Sequence, residues 1–408
     1  MTYNTVKHFK KILSLILFAS TFFSLQAAQE IKPKIPWERL KVYNHTLTES
    51  EFRRALKTLY SPDGSLYAYL KITPYYVDIF RNTQKTRPAL FRLLLAKKHP
   101  LKKMVSQHLK KIKSSLPLNE LRILLDPGHI GGDYAKMEER VLPVEKHPPI
   151  KEAELNLKTA LLLKKKLVNL GAKVYLTKKD FTPVTKARPK DFRKIVEKEI
   201  LSNPSSAKDP STQKILIQKR MEQLFYRTAE IKARAELAQR IHPDFTLCIH
   251  FNAAPASPEK PWVEDNRLVV FVHGCYESQE LASEEMRYKL FLKLLENSRE
   301  TEEKLGGAIA TSLAKETSLP AVQYTPSSQY KCINDNPYLY ARNLAANRLF
   351  PGPVIYLEPY YQNNPLVRDR ILEGDYEGKK MIQGKPYKSI FQEYADGVAQ
   401  GILAWISH

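Results

Sequence analysis

The sequence predicts an α/β protein, a mostly parallel twisted sheet flanked by helices, with a small basic α+β N-terminal domain ahead of it. Three observations carry that reading. From residue 119 onward, short apolar runs alternate with helix-length amphipathic stretches. Positive charge gathers earlier: residues 28–118 hold 19 Lys and Arg against 6 Asp and Glu, in a chain of 408 residues with net charge +22. Leu116-Pro117-Leu118 separates the two compositions. A hydrophobic content of 43% excludes an intrinsically disordered chain, and three cysteines exclude a disulfide scaffold.

Residues 1–27 read as a signal peptide. Lys7, Lys10 and Lys11 precede an apolar run from Ile12 to Phe23, and Ser24-Leu25-Gln26-Ala27-Ala28 resembles a cleavage site. The run falls short of the roughly 20 apolar residues a membrane span needs, so the mature chain is expected in the periplasm or outside the cell. Residues 28–118 form the accessory domain. Thr48-x-x-Glu51 is a capping box before a helix with Phe52, Leu56 and Leu59 on one face. Ser61-Pro62-Asp63-Gly64 is a turn, and Leu66–Ile72 and Tyr75–Phe80 read as strands. The stretch 88–113 reads as helical, and seven lysines and no acid fall between Lys97 and Lys113. That run is either a solvated helix face or a contact for an anionic polymer or membrane surface. Nucleic acid is excluded as a partner, because it fits poorly with export and no zinc-finger or RNA-binding signature is present.

In residues 119–408 the expected skeleton is the strand Leu121–Leu125, the helix Glu152–Leu170 closed by Gly171, and the strand Ala172–Thr177. The helix Tyr226–Ile241 leads into the strand Phe245–His250. Strands at Arg267–His273 and Pro353–Glu358 and a helix near Ile390–Trp405 complete it. Charged stretches at about 183–225 and 277–300 interrupt the pattern.

The chemistry gathers at strand ends. Asp126-Pro127-Gly128-His129 follows the first strand, where ligands of open α/β sheets bind. Leu247-Cys248-Ile249-His250-Phe251-Asn252-Ala253 ends a second strand in an imidazole. Lys151-Glu152-Ala153-Glu154-Leu155-Asn156-Leu157 opens a helix between the two turns, and a helix starting at that sheet end aims a carboxylate at the imidazoles. Two His and one Glu form a common catalytic zinc set with a fourth position left for water. Pro353–Glu358 is an apolar strand ending in a carboxylate, the placement of a general base.

These four motifs, in this order over roughly 119–408, resemble the zinc-dependent N-acetylmuramoyl-L-alanine amidases of the type 3 family. The resemblance implies one zinc ion per chain on His129, Glu152 and His250, with Glu358 as the catalytic glutamate. Glu154 competes locally with Glu152, but the family places its ligand four residues before the helix Asn, here Asn156. Cys248 faces the same side as His250; a thiolate ligand is the alternative, but the family usually has a small Ser there, and Cys248 reads as a small core residue. Asn252 and His273 are candidate substrate contacts. The implied reaction cleaves the amide between N-acetylmuramic acid and L-alanine in peptidoglycan, in wall remodelling or daughter-cell separation. An envelope activator protein is a further expected partner. The alternatives are a zinc peptidase cutting within the stem peptide and a wall-binding protein without catalysis. The 277–300 segment lies where some family members carry an autoinhibitory helix, although here it is shorter.

If the run from Lys97 to Lys113 grips anionic envelope material, binding of the full-length protein to sacculi or anionic vesicles falls steeply with salt, as screening shortens to ~8 Å near physiological ionic strength. Salt-independent binding in a sedimentation assay would leave it a solvated face.

Overall fold

In the computed structural model, residues 35–98, 117–202, 209–257, 259–325, 327 and 329–407 are described. The proposed signal segment and all but the first two residues of the 97–113 run lie outside them. The first helix, α1 (Glu49–Ala55), begins where the capping box predicts. The Thr48 hydroxyl accepts the Glu51 amide at 3.3 Å, and the Glu51 carboxylate accepts the Thr48 amide at 2.8 Å. After Gly64, residues Ser65–Tyr69 form a 3-10 turn instead of the start of a strand.

Three short strands follow, β1 (Leu70–Ile72), β2 (Tyr76–Ile79) and β3 (Phe91–Leu94), in one antiparallel sheet. The third corrects the helical reading of 88–113 over its described part. Phe91, Leu93 and Leu95 are buried around an exposed Arg92, a two-residue period. Arg92 also forks onto the buried Asp78 across the sheet at 2.6 and 2.9 Å, which fixes the pairing.

The main sheet has seven strands. In chain order they are β4 (Arg122–Pro127), β7 (Lys173–Leu176), β8 (Phe245–Ile249), β9 (Leu268–His273), β10 (Lys331–Ile333), β11 (Asn336–Arg342) and β12 (Val354–Pro359). A ribbon of β5 (Val141–Leu142) and β6 (Ile150–Lys151) hangs from the loop after β4. The spatial order is β10-β11-β9-β12-β8-β4-β7. Strands β7, β4, β8 and β12 are parallel neighbours, whereas β9 and β11 run against them. The carboxyl ends of β4, β8 and β12 therefore share one edge, and those of β9 and β11 lie at the other.

Helices cover both faces. The helices α2 (Glu152–Asn169), α3 (Arg193–Leu201), α4 (Pro210–Gln223), α5 (Glu230–Ile241), α6 (Glu284–Glu296), α7 (Arg299–Thr317), α8 (Ala345–Leu349), α9 (Pro365–Leu372) and α10 (Ile390–Ser407) follow in sequence. One face is packed by α2, α7 and α10, whose Leu163, Ile309 and Ile402 are fully buried with Leu125, Leu247 and Ile355 of the sheet. Each such side chain contributes roughly 1.5–3 kcal/mol of burial. On the other face α5 and α8 meet Leu124, Cys248 and Val354. The stretch 183–225 holds α3 and α4, the latter capped by Asp209, which accepts the Thr212 amide at 2.9 Å.

The N-terminal segment does not sit apart. Trp37, Phe52, Leu59 and Tyr60 belong to the same continuous core as the sheet and α6. Trp37 meets Tyr288 edge-on at 5.4 Å and donates its indole N–H to Glu284, while Phe52 stacks on Phe291 at 5.9 Å. The backbone just past β9 continues the contact: the Cys275 and Tyr276 amides donate to the Leu59 and Tyr60 carbonyls at 2.7 and 2.9 Å.

Close packing of α10 on α7 depends on two glycines one turn apart. A Cβ on Gly397 would stand 2.8 Å from Leu313 Cδ2, and one on Gly401 would strike the Ile309 backbone. Gly401→Val should therefore lower stability by about 1–3 kcal/mol through overpacking, read from denaturant unfolding. A variant as stable as the parent would show that these helices can part without cost.

Candidate active site

The shared carboxyl edge of β4, β8 and β12 carries the site. His129 stands two residues beyond β4 with φ of 61°, a left-handed conformation that the short loop imposes and an imidazole tolerates better than a branched residue. Gly128 ahead of it has no room for a side chain, since a Cβ there would fall inside the His250 ring. His250 follows β8 directly, held by its amide on the Leu357 carbonyl at 3.1 Å and stacked on Tyr356 at 4.4 Å. Glu152 is the first residue of α2, where the helix dipole favours an anion.

Glu152 Oε1 lies 2.9 Å from His250 Nδ1 and 3.2 Å from His129 Nε2. The ligand atoms of His129, Glu152 and His250 all lie within 4.8 Å of one another. Glu154 points elsewhere, pairing with Lys151 at 3.2 Å on the half-exposed side of the helix. Glu358 follows Leu357 on β12, level with His250. No hydrogen bond or ion pair among the described residues ties down its carboxylate.

Burial opposes every charge here, and the pairings decide the outcome. Burial alone would push the Glu152 carboxyl up, but His129 and His250 hold it well below the usual range. His129 is driven down by burial and then above its ordinary value by Glu152 and Glu138. His250 is left below its ordinary value, because burial outweighs Glu152. Glu358 is pushed up to about 7 by burial and by the nearby Glu152 charge. The two carboxyls are thus driven in opposite directions, Glu152 held low by its imidazoles and Glu358 pushed up by burial and by Glu152.

Several supporting groups gave no sequence signal. Glu138 accepts the Ile130 and Gly131 amides at 2.9 and 3.0 Å and lies 3.5 Å from His129 Nδ1, which turns His129 Nε2 toward the cluster. Arg140 reaches Glu152 Oε2 at 3.3 Å, and Gln362 reaches the same oxygen at 3.4 Å. Beneath the loop, buried Lys178 donates to the His129 and Ile130 carbonyls, its pKa lowered to about 8 by burial and the nearby Arg234. Buried Asp126 accepts Thr177 Oγ1 at 2.6 Å and Arg234 at 3.0 Å, and Arg234 lies 3.4 Å from Glu230. Glu230 in turn holds the Val184 and Thr185 amides. Nothing in the local sequence marks Glu138, Lys178, Glu230 or Arg234, and only the fold shows them to be enclosed.

His273 is not brought to the site, which corrects its reading as a substrate contact. Strand β9 opposes β12, pairing Val269 with Glu358, so His273 stands at the far edge of the sheet. It is 0% exposed and bonded to Tyr276 Oη at 3.0 Å. Helix α6 of the 277–300 segment lies there too, with Lys293 donating to the Gly352 carbonyl ahead of β12, and so does not cover the His–Glu–His cluster. The long 183–225 stretch does approach the site. Phe225 packs on Tyr134 at 5.6 Å and Lys219 lies 3.8 Å from Glu139, bracing the loop that carries Glu138 and Arg140. Cys248 is fully buried, its thiol pushed well above the ordinary value by burial. Asn252 is partly exposed just beyond His250, and its Oδ1 accepts the Ala253 amide at 2.8 Å. The segment after β12 is structural: Asn363 accepts the Ala254 amide and donates to the Ala254 and Pro261 carbonyls, and Asn364 caps α9.

An open α/β sheet with two imidazoles and two unequal carboxylates at its carboxyl edge is the frame of a hydrolase. Residues 123–385, more than half of the chain, match the family model for N-acetylmuramoyl-L-alanine amidase (Amidase_3), and the chain belongs to that family. It is an amidase of that class. Among solved structures it is similar to the N-acetylmuramyl-L-alanine amidase of Mycobacterium abscessus, at 17% identity and TM-score 0.38 over 71% of this chain and 99% of that one. It is also similar to the amidase of Clostridium difficile 630, at 15% identity and TM-score 0.40 over 71% and 98%. A third is the catalytic domain of an amidase from Bacillus (Paenibacillus) polymyxa, at 14% and 0.39 over 70% and 98%. No curated protein matches the sequence.

Arg234→Met leaves Asp126 and Glu230 buried without their cation. Breaking such a pair costs about 3–5 kcal/mol, so the variant should show a large drop in unfolding midpoint. A loss under 1 kcal/mol would mean that water reaches Asp126.

Proposed function

We propose that this amidase hydrolyses the amide between N-acetylmuramic acid and L-alanine of peptidoglycan with one zinc ion held by His129, Glu152 and His250. The convergence of their three donor atoms within 4.8 Å supports this most directly. Two imidazoles and a carboxylate suit catalytic zinc and leave a coordination position open. When bound, the ion supplies a Lewis acid for the scissile carbonyl and lowers the pKa of water.

The chain's own residues do the rest. Glu138 keeps His129 turned with Nε2 inward, and Lys178 holds the loop carbonyls on which that orientation depends. Glu358 takes a proton from the attacking water and delivers it to the departing L-alanine amine, a role that suits a carboxyl with a pKa near 7. Asn252, partly exposed beside His250, offers its side-chain amide to the substrate. Residues 1–27 export the chain to the periplasm or beyond, where it acts in wall remodelling or daughter-cell separation with an envelope activator as partner. Among the described residues no helix is long and apolar enough to cross a membrane.

Mass analysis of muropeptides digested with and without chelator tests the reaction. Free glycan with an intact stem peptide, lost on chelation, is expected. Cuts inside the stem would make the enzyme a peptidase, and no product at all would leave a wall-binding protein. For the metal, His129→Ala, Glu152→Ala and His250→Ala should each lose zinc by elemental analysis, while Glu154→Ala retains it. Glu358→Gln should keep zinc while turnover falls by about 10²–10⁴-fold. Normal zinc content in the Glu152 variant, or normal turnover in the Glu358 variant, would remove that residue from its role.

A further inference from the structure

The half of the sheet face beside Glu358 holds an aromatic wall with one cation in it. Strand alternation puts Tyr340 and Arg342 of β11 on the same face as Phe271 of β9 and Tyr356 and Glu358 of β12, since Tyr340 and Tyr356 both pair with Phe271. The loop before β10 closes over them. Tyr324 stacks on Tyr330 at 4.2 Å and meets Tyr340 edge-on at 5.0 Å. The Arg342 guanidinium lies 5.5 Å from the Phe271 ring and 5.0 Å from the Tyr330 ring, within cation–π range.

Arg342 differs from the other arginines of the site in its partners. Arg140 pairs with Glu152 and Arg234 with Asp126. Among the described residues no carboxylate and no hydrogen-bond acceptor meets Arg342, although it is only partly exposed. Its backbone pairs with His273, four strand positions from the level of Glu358. Its side chain lies against the Phe271 and Tyr330 rings, from where its charge is felt at both Tyr324 and Glu358. A half-buried guanidinium held by rings on two sides, with its donors unused, is a preformed receptor for a planar anion. A single cation set within the aromatic wall suits a singly charged group, whereas a phosphate would ask for several.

We propose that Arg342 is a specificity-determining residue of the amidase, binding a carboxylate of the stem peptide within the wall formed by Phe271, Tyr324 and Tyr330. This rests on the peptidoglycan reading above, whose substrate carries such carboxylates. The guanidinium then anchors the peptide while Glu358 works at the scissile amide.

The test uses the full chain and two probes, an L-alanyl-γ-D-glutamyl peptide with its free α-carboxylate and the same peptide with that group amidated. Calorimetric binding should favour the free acid by about tenfold or more, the scale of a charge-assisted pair. Arg342→Gln should abolish the preference, and Arg342→Lys, which keeps the charge but not the fork, should keep part of it. With muramyl peptide substrates, Arg342→Gln should raise KM for the acid form and leave kcat nearly unchanged. Equal binding of acid and amide by the parent, or an undiminished preference in Arg342→Gln, overturns the proposal. So does an equal loss of kcat on both substrates, which would mean that Arg342 acts through Glu358. If Arg342→Gln does not fold, full retention of the preference by Arg342→Lys also overturns it, because the fork would then be idle. Should the parent cut no muramyl amide yet keep an acid preference that the variant loses, the amidase reading fails while the Arg342 site stands.

Discussion

The Glu152 carboxylate, 5% exposed at the first turn of a helix, is the constraint on which the site is built. An ion taken from water must be compensated where it stands. Here the compensation comes from His129, His250, Arg140 and the helix dipole, brought from separate parts of the chain. That demand explains why the loop after β4 is so tightly built. Gly128 must lack a side chain for the His250 ring to approach, and His129 must take a left-handed backbone to turn its ring inward.

A second set of buried charges keeps this loop in place. Asp126, Arg234, Glu230 and Lys178 alternate in sign beneath it, and Lys178 and Glu230 hold backbone groups of the segments they join. Such pairs add little net stability compared with an apolar core of the same shape, but losing one partner is costly. The arrangement suits a site that must hold several donors in one geometry, since each charge penalises any packing that separates it from its partners.

The two edges of the sheet carry different work. Because β9 and β11 run against β12, the carboxyl edge of the parallel strands stays open for chemistry, and the opposite edge is closed by α6 and the N-terminal segment. Trp37, Phe52 and Phe291 fill that closure, so the basic N-terminal segment shares a core with the hydrolase fold. The sheet face between the edges is divided as well. Helices α5 and α8 cover one half, and tyrosine rings cover the other, next to Glu358.

Much of this was legible in the sequence. The strand endings at His129, His250 and Glu358, the helix start at Glu152 and the capping box at Thr48 are local patterns, set by residues two to four apart, and the structure has them where the pattern put them. The helical reading of 88–113 failed over its described part because lysine-rich composition outweighed the alternation of Phe91, Leu93 and Leu95. His273 ends a strand as convincingly as His250 does, yet strand direction sent it to the far edge, and direction is fixed by pairing between distant segments. Nothing in the local sequence marks Glu138, Lys178, Arg234 or Arg342 either, for the same reason. Whether a charge is buried, and what faces it, depends on contacts made across the chain, and only tertiary packing decides those.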